Sequence, residues 1–295
     1  MSTATATSTA ASTRSRSTGP RSAGPRRNVR ASALGLLAWL AGLVFFLPVA
    51  YMLLTSFHAE SDAASNPPDL TAPLTLGSYR EFFGSNPWPP LINSTTASVC
   101  STLLVLLLAL PAAYALSIRP VRKWTDVLFF FLSTKMLPVV AGLLPIYLFA
   151  KNTGFLDNVW LLVLLYTSMN LPIAVWMLQS FLAEVPVSVI EAAHLDGARL
   201  PVILGRVIAP IVLPGIAATA LICFIFSWNE MLFARVLTGV IAETSPVFLT
   251  SFITSQGLFL AQVSAASIAI SLPVLAAGFA AQDKLVQGLS LGAVK

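Results

Sequence analysis

The sequence predicts an all-α membrane protein with six spanning helices, and three observations carry that prediction. First, 56% of the 295 residues are hydrophobic and only 10% are charged, whereas a soluble domain carries about a quarter charged residues. Second, six apolar runs, at about 33–55, 93–118, 126–150, 158–182, 208–234 and 260–281, each exceed the roughly 20 residues that a helix needs to cross the hydrocarbon core. Third, the runs are continuous and do not alternate with period two, which excludes a membrane β-barrel. Length alone would suit two soluble domains, but the runs are too long for them.

Residues 1–30 are rich in Ser and Thr, hold six arginines and no acid, and show no apolar periodicity. That composition predicts a disordered basic tail, with residues 31–295 forming the membrane domain. The first run is longer than a signal-peptide core of roughly 7–15 residues and no small-x-small cleavage site follows, so an uncleaved helix is expected. Prolines recur inside the runs at Pro48, Pro111, Pro138, Pro145, Pro172, Pro214 and Pro273. Neighbouring helices can satisfy the carbonyls they free. Either the helices bend or move there, or these are ordinary membrane-helix prolines.

Basic residues set the orientation. With the tail inside, 13 of the 17 Lys and Arg residues fall on cytoplasmic segments and three (Arg80, Lys151, Arg235) on outer loops, Lys135 lying within the third run. That bias places both termini in the cytoplasm. The net charge of +5 is therefore topological and gives no case for nucleic-acid binding; the tail touches at most anionic lipid. Cys100 and Cys223 lie in membrane segments without disulfide or metal spacing and read as packing residues.

Between the fourth and fifth runs, residues 183–207 form a cytoplasmic loop much longer than chain reversal requires. It contains EAAHLDGARLPVILGRVIAP, Glu191 to Pro210. Pro186 can open a short helix, on which Val189, Ile190 and Ala193 share a face. Asp196-Gly197 then ends it, since Gly tolerates positive φ. A second short helix is expected from Ala198 towards Val207, ending before Pro210. Ala192 and Ala193 leave room for a close-packed surface. The pattern suits either a docking element for a cytoplasmic partner or an amphipathic hairpin on the membrane.

The stretch resembles the signature loop of the integral membrane permeases of ATP-binding-cassette importers: EAA, three residues, Gly, nine residues, Ile-x-Leu-Pro. Here Glu191-Ala192-Ala193, Gly197 and Val207-Ile208-Ala209-Pro210 keep the spacing, with Ala209 replacing the usual Leu. PPDLTAPLTLGSYREFF, LPAAYALSIR, SWNEMLFA and QGLSLGAVK are similar to carbohydrate-type permeases. LSTKMLP, FSWNE and GLFLAQVSAASIAISLPVLAAG are similar to the branch importing sugar alcohols such as sorbitol and mannitol. The resemblance implies a type I importer permease fold in a bacterial inner or plasma membrane, with a coupling helix between helices 4 and 5. It assigns ATPase coupling to Glu191, Ala192, Ala193, Asp196, Gly197 and Pro210. It also implies a second homologous permease, two ATPase subunits that hold the ATP and magnesium, and an extracellular solute-binding protein. The first outer loop, about 35 residues with six prolines and Trp88, is either a docking surface for that protein or an extended solvated loop.

The chain has no phosphate-binding G-x-x-x-x-G-K-[ST] loop, since none of its five lysines follows a glycine. His58 and His194 stand too far apart in sequence to suggest a metal cluster. No nucleophile elbow or kinase set occurs, so no enzyme activity and no bound cofactor are expected. Lys135 and Glu230 lie within membrane runs, where ionisable groups face a bundle interior or watery cavity. With Trp228 and Asn229 they are candidates to line a solute path. Alternatively, Glu230 reaches interfacial water or Arg235, and Lys135 snorkels to the interface. A secondary transporter using Lys135 and Glu230 as an ion relay would call for inverted repeats, and none is evident. A membrane scaffold or sensor would leave the proline breaks and intramembrane charges without purpose.

Overall fold

A computed structural model of the chain describes residues 29–67, 69–118, 122–254 and 257–293. The expected disordered tail lies outside the described residues except for Val29 and Arg30, which begin the first helix. The chain divides into two compact units at Val49 and Ala50. Most of α1 (Val29–Thr55) belongs to the first unit, where it runs as a helix through Pro48. All other elements belong to the second unit.

After α1 come two short helices, α2 (Glu60–Ala63) and α3 (Gly77–Gly84), in the segment expected to be a long outer loop. The long α4 (Trp88–Ser117) starts five residues before its apolar run because Pro89 and Pro90 occupy its first turn, where a missing N–H costs nothing. Next are α5 (Trp124–Ser133), a 3₁₀ turn at Thr134–Met136, α6 (Val139–Thr153) and α7 (Val159–Leu182). The Asn158 side chain caps α7 by accepting the Trp160 N–H at 2.9 Å. The chain continues through α8 (Val187–Leu195), α9 (Leu200–Val202), a π-helical stretch at Ile203–Ile208, and α10 (Ala209–Ile211). It ends with α11 (Leu213–Trp228), α12 (Leu232–Leu237), α13 (Ser245–Leu249) and α14 (Leu260–Ala293). A two-residue antiparallel ladder, β1 (Ile253–Thr254) with β2 (Gly257–Leu258), pairs Ile253 with Leu258 and Thr254 with Gly257 before α14.

Among the described residues, four stretches are single helices long and apolar enough to cross a bilayer: Leu34–Thr55, Trp88–Ser117, Val159–Leu182 and Leu260–Lys284. The third and fifth apolar runs are not single rods. The third breaks between the 3₁₀ turn and α6 with a bend of 81°, and the fifth begins at a bend of 89° between α10 and α11. Both breaks have a local cause. Leu137 precedes a proline and takes an extended conformation, ψ 133°, because the following ring crowds the helical region. At the second break Val212 leaves helical geometry (ψ 16°) and Pro214 sits in the first turn of α11. The fifth run also ends early, at Trp228, and resumes as α12.

α4 and α7 pack along much of their length. The contact is close because α4 presents Ala97, Ser101, Val105, Ala109 and Ala113, spaced by four and all fully buried; small residues at that spacing let helix backbones approach. Their N-terminal halves share one apolar cluster and their C-terminal halves another, so the two helices run parallel. At the centre, Asn170 Nδ2 donates to Ser227 Oγ at 2.9 Å and reaches Cys223 O at 3.4 Å, while Ser227 Oγ lies 3.0 Å from Ser101 Oγ. This node joins α4, α7 and α11. A third cluster gathers Phe82, Trp228, Phe248, Phe252 and Ile270.

The loop after α12 is tied down by one carboxylate. Asp157 accepts N–H bonds from Gly239, Val240, Ile241 and Ala242 at 2.8–3.1 Å. Asn93 Nδ2 donates to the carbonyls of Ile241 and Glu243, and Ser94 Oγ accepts the Ser245 N–H. Burial alone would raise the Asp157 pKa, but the four N–H bonds outweigh it and hold the carboxyl below the usual carboxylate range. Elsewhere in the second unit, Glu60 Oε2 accepts the N–H groups of Ala261 and Gln262 at the start of α14.

A Cβ on Gly215 would overlap the Phe181 ring, so Gly215→Ala should cost about 1–3 kcal/mol of stability. Thermal unfolding of the solubilised protein should show this, with Gly84→Ala, whose Cβ meets nothing within 4 Å, unchanged. Asp157→Ala should raise amide hydrogen exchange at residues 239–242. Because the Asp157 pKa is depressed, its contribution is present above the ordinary carboxylate pKa and fades as pH falls through the lowered value; protection, corrected for intrinsic rates, should therefore persist at about pH 5.

Candidate functional site

The segment from Val185 to Val212 is bound to the second unit's core by its apolar residues. Pro186, at φ −61° and ψ 130°, turns the chain into α8. Ile190 and Ala193 then enter the cluster formed by Tyr114, Leu178, Leu182, Ile203 and Ile208. The opposite face of α8 exposes Glu191, Ala192 and His194, and Leu195 is 89% exposed. Gly197, at φ +74°, closes the helix. Its N–H donates to His194 O and the Ala198 N–H donates to Ala193 O, each at 3.0 Å, the two-bond Schellman closure that a left-handed residue makes possible. Asp196 stands exposed as the C-cap.

Two sequence expectations change here. Ala193 does not offer room to an outside surface: it is buried in the chain's own core, and Ala192 is the exposed alanine. The second helix does not stop before Pro210 either. It passes through the π-helical turn Ile203–Ile208 and carries Pro210 to Ile211. The widened turn gives the proline ring room, and the chain bends only at Val212.

A second feature lies in the elbow between the 3₁₀ turn and α6. A cavity of about 510 Å³ is lined by Lys135, Pro138, Gly142, Ile146, Leu165, Ser168, Met169, Pro172 and Phe233, among others. Its volume falls in the range of roughly 300–1,000 Å³ typical of small-molecule sites. Lys135 Nζ donates to the Met169 carbonyl at 2.8 Å. Pro172 has no N–H for the Ser168 carbonyl, so the adjoining turn of α7 is the place where a side-chain donor is accommodated.

Of the four residues expected along a path, only Lys135 lines this cavity. Trp228 is 3% exposed and packs among Phe82, Phe248 and Phe252, its ring 5.7 Å from that of Phe224. Asn229 donates to its own helix at Ile225 O, 2.8 Å. The Glu230 oxygens accept the N–H groups of Phe233 at 3.0 Å and Ala234 at 3.3 Å. The reason is local: α11 stops at Trp228, and the carboxylate is drawn to the unsatisfied amides opening α12. Arg235 turns instead towards Thr250 Oγ1. Phe233, three residues after Glu230, lines the cavity, whereas Trp228 does not. Sequence alone does not single out Asn170, Ser101 and Ser227; the signal it does carry is an amide in the middle of an apolar helix.

Residues 105–290 match the family model described as the binding-protein-dependent transport system inner membrane component. The chain is 34% identical over 264 residues to the probable ABC transporter permease protein y4oR of Sinorhizobium fredii, covering 89% of this chain and 95% of that protein. It is 31% identical over 257 residues to the diacetylchitobiose uptake system permease protein DasC of Streptomyces coelicolor, covering 86% of this chain and 92% of that one. The fold matches a chain of a bacterial ABC transporter that imports the acidic polysaccharide alginate, with a TM-score of 0.70 and 21% identity over 87% of this chain and 96% of that chain; this likeness speaks to the fold alone. The chain belongs to the family of binding-protein-dependent transport inner membrane components: it is a multi-pass permease of the ATP-binding-cassette class in the cell membrane, and ATP hydrolysis resides on separate ATPase subunits.

Proposed function

We propose that this chain forms half of the translocation pathway of an ATP-driven carbohydrate importer. A second homologous permease completes the pathway, two ATPase subunits holding ATP and magnesium drive it, and an extracellular binding protein delivers the solute. In this reading each bent pair counts as one span, giving six, with both termini cytoplasmic. The single observation that carries it is α8: a short helix anchored inward by Ile190 and Ala193, exposed outward at Glu191, Ala192 and Leu195, and closed by Gly197. Such an element transmits force. Its exposed face seats in an ATPase groove, and its buried face moves the ends of α4 and α7. Glu191 and Ala192 are the contact residues, Asp196 and Gly197 set the turn, and Ala193 and Pro210 position the helix. Asn229, Glu230 and Trp228 support the pathway wall from behind, through Phe233 and the aromatic cluster.

For the solute, the segments similar to sugar-alcohol permeases support sorbitol or mannitol. The likeness to a diacetylchitobiose permease supports the second reading, a mono- or disaccharide imported by the same mechanism. Uptake of labelled sorbitol, mannitol and a disaccharide, in cells lacking only this chain, separates the two; the lost flux should resist a protonophore while ATP is maintained. Flux that collapses with the proton gradient would overturn the importer. Gly197→Val forces a branched side chain into a left-handed backbone, at about 1–2 kcal/mol. It should cut uptake about five- to thirtyfold, whereas Gly197→Asn, which tolerates that conformation, should retain most of it. Equal uptake in both variants would remove α8 from the coupling step.

A further inference from the structure

We propose that Lys135 and the Met169 carbonyl form a hydroxyl-binding subsite for polyhydroxylated solutes in the 510 Å³ cavity; this rests on the importer reading above. The pair is a donor and an acceptor held 2.8 Å apart. A hydroxyl group is the ligand chemistry that satisfies both at once, since it accepts from an ammonium N–H and donates to a carbonyl. An ammonium has three N–H donors, of which Met169 O takes one, so a solute oxygen can join without displacing the existing bond.

The surroundings favour the same chemistry. No Asp or Glu is among the described residues lining the cavity, so nothing there repels a hydroxyl's lone pairs or neutralises Lys135 permanently. Ser168 lies one residue from Met169 on the same wall, its carbonyl without the N–H that Pro172 lacks, and so extends the row of polar atoms along α7. Ile146, Leu165 and the Phe233 ring also line the cavity and give apolar surface for the carbon face of a polyol or sugar. Lys135 lies in the 3₁₀ turn just before the 81° bend, and α6 beyond the bend supplies Gly142 and Ile146 to the same cavity. Lys135 is thus a specificity-determining residue set beside a helix break.

The test uses the complete importer in nanodiscs without its binding protein, so that solute affinity reports the membrane site alone. Binding of labelled sorbitol, trehalose and galacturonate is measured for wild type, Lys135→Arg and Lys135→Met, with assembly and unstimulated ATPase rate as controls. Loss of one charge-assisted hydrogen bond should weaken sorbitol or trehalose binding by about tenfold or more in Lys135→Met. Lys135→Arg, which keeps a donor, should stay within about threefold. Gly142→Leu provides an independent check should Lys135→Met fail to assemble. A Cβ there meets only Ile146 Cδ1, at 4.0 Å, and the longer side chain narrows the cavity, so binding should fall with Lys135 intact. Unchanged affinity in both Lys135→Met and Gly142→Leu would overturn the subsite. Tighter binding of galacturonate than of the neutral solutes would overturn it in favour of an anion site. Failure of the importer reading looks different: the wild-type assembly, sealed into liposomes together with its binding protein, would then show no ATP-driven uptake of any of the three.

Discussion

The buried hydrogen-bond node of Asn170, Ser227 and Ser101 is the constraint on which the membrane core depends. In a bilayer, helices gain nothing by exchanging lipid for apolar neighbours, so packing and buried polar contacts decide who sits beside whom. Asn170 is fully buried, and its amide has no water to fall back on. Donating to Ser227 Oγ, which in turn meets Ser101, it fixes α4, α7 and α11 at one depth and one rotation. The small residues of α4 then allow the close contact with α7 that the node requires, and Gly215 does the same for α11 beside Phe181.

On that frame, proline breaks shape the relief of the helices. A continuous third helix would present an uninterrupted apolar surface. The chain instead bends by 81° before Pro138, and the cavity beside that bend is lined by Thr134, Lys135 and Ser168 as well as by apolar residues. Irregular backbone at membrane depth is tolerable only where it lines such a space or is covered by protein. Lys135 on the Met169 carbonyl is that rule applied twice, to a charge and to a turn weakened by Pro172.

The exposed segment around α8 is organised differently. Ile190 and Ala193 are used inward, which joins the helix to the ends of α4 and α7, while Glu191, Ala192 and Leu195 are exposed. Asp157 plays a comparable part elsewhere, organising four consecutive N–H groups into a fixed turn after α12. Both devices turn what reads as loop into rigid structure, one by burial and one by a single carboxylate.

Periodicity and residue chemistry by themselves determined the apolar class, the positions of the helical runs, the α8 helix and the positive φ at Gly197, because each depends on neighbours within a few positions. Only tertiary structure decided which prolines break a helix. Pro111, Pro145, Pro172 and Pro273 remain inside helices, while the chain bends sharply before Pro138 and Pro214, since neighbours must either support or replace the lost backbone bonds. It also decided that Ala193 faces inward and Ala192 outward, a matter of which side α8 turns to the core. Trp228 and Lys135 illustrate the same limit. Both fall in apolar runs of the sequence, but burial of one among Phe82, Phe248 and Phe252, and the opening of a cavity beside the other, are set by helices distant along the chain.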